Sequence, residues 1–169
     1  MDEHKTITVD FILGRDNLLY DIANEAYIEG DLMPDEADKV KAILQDLTQD
    51  GNIDKTNRTM NLAVSECEEM LYPYTNREIQ AGDIDNRPAA PSEYHITARF
   101  PETFSQTTAD LLKGLLHDYV VGRVLADWLG STKPEIVPKW LDRIGDIRLR
   151  IKQAMSIRRT KTRRKISPL

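Results

Sequence analysis

Residues 103–155 read TFSQTTADLLKGLLHDYVVGRVLADWLGSTKPEIVPKWLDRIGDIRLRIKQAM, and their apolar positions recur every three or four residues. Leu111, Leu112, Leu115, Leu116, Tyr119, Val120, Val124, Leu125 and Trp128 make one stripe. Val137, Trp140, Leu141, Ile144, Ile147, Ile151, Ala154 and Met155 make a second. That spacing keeps one face of an α-helix apolar and predicts two long amphipathic helices. Thr103 and Gln106 have capping-box spacing before the first helix, and Gly130 is expected to close it. Thr132 and Glu135 repeat the capping pattern around Pro134 and are expected to open the second. So short a connection predicts an antiparallel hairpin.

Working outward, residues 93–100, EYHITARF, alternate, with Tyr94, Ile96, Ala98 and Phe100 on one side, which predicts a half-buried strand. Residues 5–13, KTITVDFIL, are rich in β-branched residues and form a candidate partner strand. Leu18, Leu19, Ile22, Ala23, Ala26 and Tyr27 predict a first helix over 15–29 with a left-handed cap at Gly30. A second helix is expected from Pro34, with Asp35 and Glu36 at its positive end and a stripe of Ala37, Val40, Ile43, Leu44 and Leu47, ending near Gly51. Met60, Ala63, Val64, Cys67, Met70, Leu71 and Tyr74 predict a third helix that Pro73 breaks. Residues 75–92 lack periodicity and read as a long loop. The fold class expected is mainly α: a helical bundle with a small β element and a basic C-terminal extension. Residues 1–157 would form the domain and residues 158–169 the tail.

The 169 residues suit one domain, and 40% apolar with 30% charged residues falls in the globular range. No apolar run approaches a bilayer span, and MDEHKTITVDF lacks the apolar stretch of a signal peptide, so a soluble, unexported chain with no membrane partner is expected. The net charge of −5 conceals an asymmetry. Residues 1–147 hold 14 Lys and Arg against 28 Asp and Glu, a net of −14, whereas residues 148–169 hold nine cations and no acid. An acidic body with a basic end can attract copies of itself head to tail, or reach a phosphate backbone. The tail SIRRTKTRRKISPL, lacking a stripe, is expected to be disordered until a partner binds it.

Catalytic and metal chemistry find little footing. The lone Cys67 has apolar neighbours at helical spacing and reads as core. His4, His95 and His117 lie far apart with no second ligand at metal spacing. Asp46, Thr48, Asp50 and Asp54, with Gly51 and Ile53, imitate a calcium loop, but its twelfth position is Asn57 where a bidentate Glu is needed. The competing reading is a helix end, a Gly cap and an Asp54 N-cap. Glu66, Glu68 and Glu69 read as a solvated face, Trp128 and Trp140 as core. No nucleophile-elbow, Walker or dinucleotide-binding pattern occurs, so neither an enzyme nor a cofactor is expected.

The segment YHITARFPETFSQTTADLLKGLLHDYVVGRVLADWLGSTKPEIVPKWLDRI, residues 94–144, with the ending IRRTKTRRKISPL, resembles head-to-tail connector (adaptor) proteins of Bacteroides-type tailed phages and prophages. A weaker match lies in DNLLYDIANEAY, residues 16–27. The resemblance implies a non-catalytic helical bundle that assembles as a ring, usually of twelve copies, beneath the portal. Such a ring joins head to tail and extends the DNA channel. The implied partners are other copies, the portal protein, the next tail or connector protein and the DNA in transit; the implied location is the virion, after assembly in the host cytoplasm. Arg158, Arg159, Lys161, Arg163, Arg164, Lys165, Ile166 and Leu169 are the expected partner-binding residues. The alternative is a small nucleic-acid-binding regulator using the same tail, although a recognition helix should be basic near its N-terminus and the last helix is basic at its C-terminal end.

Overall fold

The computed structural model describes residues 5–33, 38–78, 81–85, 87 and 89–156. It is mainly helical, with helix over 67% of the described residues and one two-stranded sheet. In chain order come β1 (Thr6–Gly14), α1 (Arg15–Asp31), α2 (Asp38–Gln45), α3 (Ile53–Met70), β2 (Glu93–Pro101), α4 (Gln106–Thr132) and α5 (Val137–Ser156). Short 3-10 turns, Asp46–Thr48 and Pro134–Ile136, follow α2 and precede α5.

The two strands pair antiparallel over their whole length, from Thr6 opposite Pro101 to Gly14 opposite Glu93. Every second residue of β2 is buried, Tyr94, Ile96, Ala98 and Phe100, because one sheet face lies on the core. Phe100 anchors the turn that follows: its ring stacks on Phe104 at 4.1 Å and meets Tyr74 at 5.0 Å and Phe11 edge-on at 6.2 Å.

α4 is the spine of the bundle, packed by α1, α3 and α5 around one contiguous core. α4 and α5 run antiparallel. A side chain at Gly122 would stand 3.3 Å from Ile144, and the Arg148 guanidinium lies 6.0 Å from the Tyr119 ring centre, so rising numbers on one helix meet falling numbers on the other. Trp128 and Trp140 are both buried, and the Trp128 indole N–H donates to the Leu44 carbonyl at 3.1 Å. Cys67 is fully buried, its thiol 3.9 Å from the Leu116 carbonyl.

Several local expectations need correction. α1 runs through Gly30 to Asp31, and Gly30 has no left-handed conformation. Its missing side chain instead admits Lys41 and Gln45, whose atoms would lie 3.2 to 3.6 Å from a Cβ there, so the glycine serves close packing of α2. Pro34, Asp35, Glu36 and Ala37 lie outside the described residues. In α2 only Leu44 is buried, while Ile43 is 52% exposed and Val40 36%, because this short helix leans on α1 along its Lys41 and Gln45 edge. Tyr27, Leu111 and Leu141 likewise belong to the apolar stripes but stand about half exposed.

The capping boxes do not form. α4 begins at Gln106 after Ser105, whose carbonyl rather than side chain receives the Thr108 and Ala109 N–H groups. α4 also continues past Gly130 to Thr132, whose hydroxyl donates back to the Trp128 carbonyl at 3.1 Å and is spent inside its own helix. The stretch after α2 is a 3-10 turn followed by a helix start at Ile53, so Asp54 is a first-turn residue and not the N-cap.

Candidate interaction surface

Residues 158–169, which contain Arg158, Arg159, Lys161, Arg163, Arg164, Lys165, Ile166 and Leu169, lie outside the described residues. What the structure fixes is their point of departure. α5 ends at Ser156, and the antiparallel packing sets that end level with the first turns of α4. Arg148, Arg150 and Lys152 on the last turns of α5 are exposed, and cations at this end complement the partial negative charge of the helix C-terminus. The N-terminal half of α5 differs. Lys139 meets the buried Glu29 carboxylate at 2.6 Å, and Arg143 lies 3.7 Å from Glu25, so α1 supplies counter-charges there.

Three surface hollows run along α4. A cleft of about 320 Å³ is bounded by Ile12, Leu13 and Gly14 of β1, Asn17 of α1, and Asp110, Lys113, Gly114, His117 and Asp118 of α4. A smaller one, about 100 Å³, lies between Asp21, Asn24, Glu25 and Ile28 of α1, Asp118 and Val121 of α4, and Arg143 of α5. The third, about 420 Å³, is lined by Asp118, Arg143, Asp146, Ile147, Leu149 and Arg150. Asp118 borders all three. Between the first and second hollows His117 bonds to Asp21 at 2.6 Å, which fastens α1 to α4.

Sequence reasoning placed Glu66 on a solvated face, and the structure overturns this. Its carboxylate accepts the Tyr119 hydroxyl at 2.7 Å and lies 3.4 Å from the Arg123 Nε, leaving its side chain 26% exposed. Burial, reinforced by the hydrogen bond to Glu66, pushes the Tyr119 hydroxyl above the ordinary tyrosine range. Glu68 is drawn in by Arg77 at 2.6 Å, whereas Glu69 stays exposed. Burial also raises the Cys67 thiol, with Glu66 and Glu68 adding to the effect, which makes it a poor nucleophile.

In the calcium-like segment the twelfth position and its neighbours are committed elsewhere. The Asn57 Oδ1 accepts both Arg15 Nη2 at 3.0 Å and Arg15 Nε at 3.3 Å, the Thr56 hydroxyl donates to the Leu47 carbonyl, and the Asn52 amide donates to the Asp46 carbonyl. No group of three His, Cys, Asp or Glu able to hold a metal occurs among the described residues.

The 75–92 loop proves to be tied to the body. Arg77 pairs with Glu68, the Asn61 amide donates to the Ala89 carbonyl at 3.0 Å, and the Tyr94 hydroxyl holds the other end of Asn61 at 2.9 Å. These partners are far apart in sequence, and no periodicity could have announced them. On the sheet, Asp10 gathers His95 at 2.7 Å and Thr97 at 3.2 Å; its hydrogen bond raises the His95 pKa above the ordinary histidine value, with Glu93 adding to the pull.

Chemically, this surface offers carboxylates, exposed cations and extended backbone, which suit docking of a charged polypeptide. No helix among the described residues is long and apolar enough to cross a membrane. Comparison of the chain with family models, curated proteins and solved structures finds no match.

Proposed function

We propose that the chain is a structural connector subunit: copies of it form a ring at the portal vertex of a tailed phage, join head to tail and extend the DNA channel. Charge segregation carries this reading. A body of net −14 is followed by nine cations within 22 residues, three of them exposed on the last turns of α5 and six beyond it in sequence. An acidic body and a basic C-terminal segment favour head-to-tail contact between copies, the kind that closes a ring. The resemblance of residues 94–144 adds support, since they form one continuous unit of strand, aromatic turn and helical hairpin.

The regulator reading is the weaker. Lys139 and Arg143, the cations in the N-terminal half of α5, face Glu29 and Glu25 of α1 and so are poorly placed for a phosphate backbone. The tail's expected partner is therefore protein acids and not duplex DNA, which a body of net −14 repels. Light scattering tests the assembly claim. The chain alone should be a weakly associating species, and addition of a tailed-phage portal protein should yield one large complex of fixed mass. A stable dimer indifferent to the portal would overturn the reading.

A further inference from the structure

β1 has an open outer edge. The Arg99 N–H donates to the Tyr74 carbonyl at 2.8 Å, on the side of β2 away from β1. In an antiparallel ladder this makes Thr8 opposite Arg99 a non-hydrogen-bonded pair, and by alternation Asp10 opposite Thr97 and Ile12 opposite His95 are the same. The Glu102 N–H to the Lys5 carbonyl and the Arg15 N–H to the Ser92 carbonyl fall on the other parity, as this requires. The backbone N–H and C=O groups of Thr8, Asp10 and Ile12 therefore point away from β2. Among the described residues nothing pairs with them. Such an edge is a template for one more strand.

The cleft of about 320 Å³ runs along the end of this edge. Its floor is open, since a side chain built at Gly114 would meet nothing within 4 Å. Its rim carries Asp110 and Asp118 with Lys113 and His117; His117 is already held by Asp21, and Asp10 stands on the exposed face of β1 itself. Asp118 has no hydrogen-bond or ion-pair partner among the described residues.

We propose that the C-terminal segment of a second copy adds to the β1 edge as a third strand, with Arg159, Lys161 and Arg163 set against the acidic rim. The segment has the pattern a strand needs. Residues 159–163, RTKTR, alternate cation and β-branched Thr at period two, so an extended chain carries Arg159, Lys161 and Arg163 on one face and Thr160 and Thr162 on the other. A second copy of β1 is a poorer occupant, because it would bring another Asp10 to an edge that already has one. A chain's own tail is poorly placed. Tyr119 and Gly122, which face α5, lie roughly 160° around α4 from Asp110, Lys113 and His117 of the cleft, although Asp118 also borders the hollow lined by α5. Three residue steps, about 10 Å when extended, take the chain from Ser156 to Arg159, too few to pass round a helix about 10 Å across. The proposal deepens the connector reading by naming how one subunit holds the next.

Amide hydrogen exchange on the full chain, at two widely separated concentrations and with no portal present, tests it apart from the portal-binding claim. Exchange at Thr8, Asp10 and Ile12 should slow by about tenfold or more at the higher concentration, while core amides of α4 stay unchanged. The full-length triple variant Arg159→Glu, Lys161→Glu, Arg163→Glu should lose that protection and keep its core protection. Exchange at these three amides that ignores concentration would overturn the proposal. So would protection that survives in the triple variant.

Discussion

The Tyr119 hydroxyl donates to the Glu66 carboxylate at 2.7 Å, joining the middle of α4 to the C-terminal third of α3 across 53 positions of sequence. Arg123 approaches the same carboxylate and Arg148 lies over the Tyr119 ring, so one acid organises charges from three helices. Tyr119→Phe should destabilise the fold by about 1 to 2 kcal/mol, the worth of a hydrogen bond to a charged, partly exposed acceptor. Chemical denaturation checks it.

The same bond has a pH consequence. The Tyr119 hydroxyl is raised in the folded state, chiefly by burial and then by Glu66. The stability it contributes is complete below the unfolded tyrosine value of about 10 and is lost as pH rises above it. Thermal melts should fall above about pH 10, and less steeply for Tyr119→Phe than for the native chain. Identical slopes would contradict the assignment.

His95 is raised by its hydrogen bond to Asp10, with Glu93 adding charge. Its contribution is present below the unfolded histidine value of about 6.5 and fades as pH rises through the folded value. A proton NMR titration should place His95 above the ordinary value, and Asp10→Asn should bring it back down. An unmoved titration would separate the two residues in solution.

Trp128→Ala and Trp140→Ala should each cost about 3 to 5 kcal/mol, through lost burial and the cavity left behind. Phenylalanine should tell them apart. The Trp128 N–H has an acceptor at Leu44, whereas the buried Trp140 N–H has none among the described residues, so Trp140→Phe removes a polar atom that burial penalises. Thermal melts should rank Trp140→Phe as the milder change.

Periodicity made the scaffold legible. The alternation of Tyr94 to Phe100 and the stripes from Leu112 to Trp128 and from Trp140 to Ile151 describe faces that are indeed buried, because a repeat reports which side of an element meets the core. Helix ends were less legible. Gly30, Gly130 and Thr132 carry cap chemistry, yet α1 runs on past Gly30 and α4 past Gly130 to take in Thr132 as its last residue. Ile43 and Leu111 show a related limit, since a stripe one residue too wide leaves its margin exposed. The interaction surface was half legible. Its cations stand in plain sequence, but the acids proposed to receive them come together only when α1, α4 and β1 pack, and the edge of β1 left unpaired among the described residues follows from the pairing of strands about 90 residues apart.

The central claim is assembly through the basic end, and electron microscopy of the chain mixed with its portal measures it most directly. The full chain should form a closed ring on the portal. The chain lacking Arg158–Leu169 should keep its melting temperature and leave the portal bare. Rings formed equally well by the truncated chain, or no ring from the full one, would contradict the account.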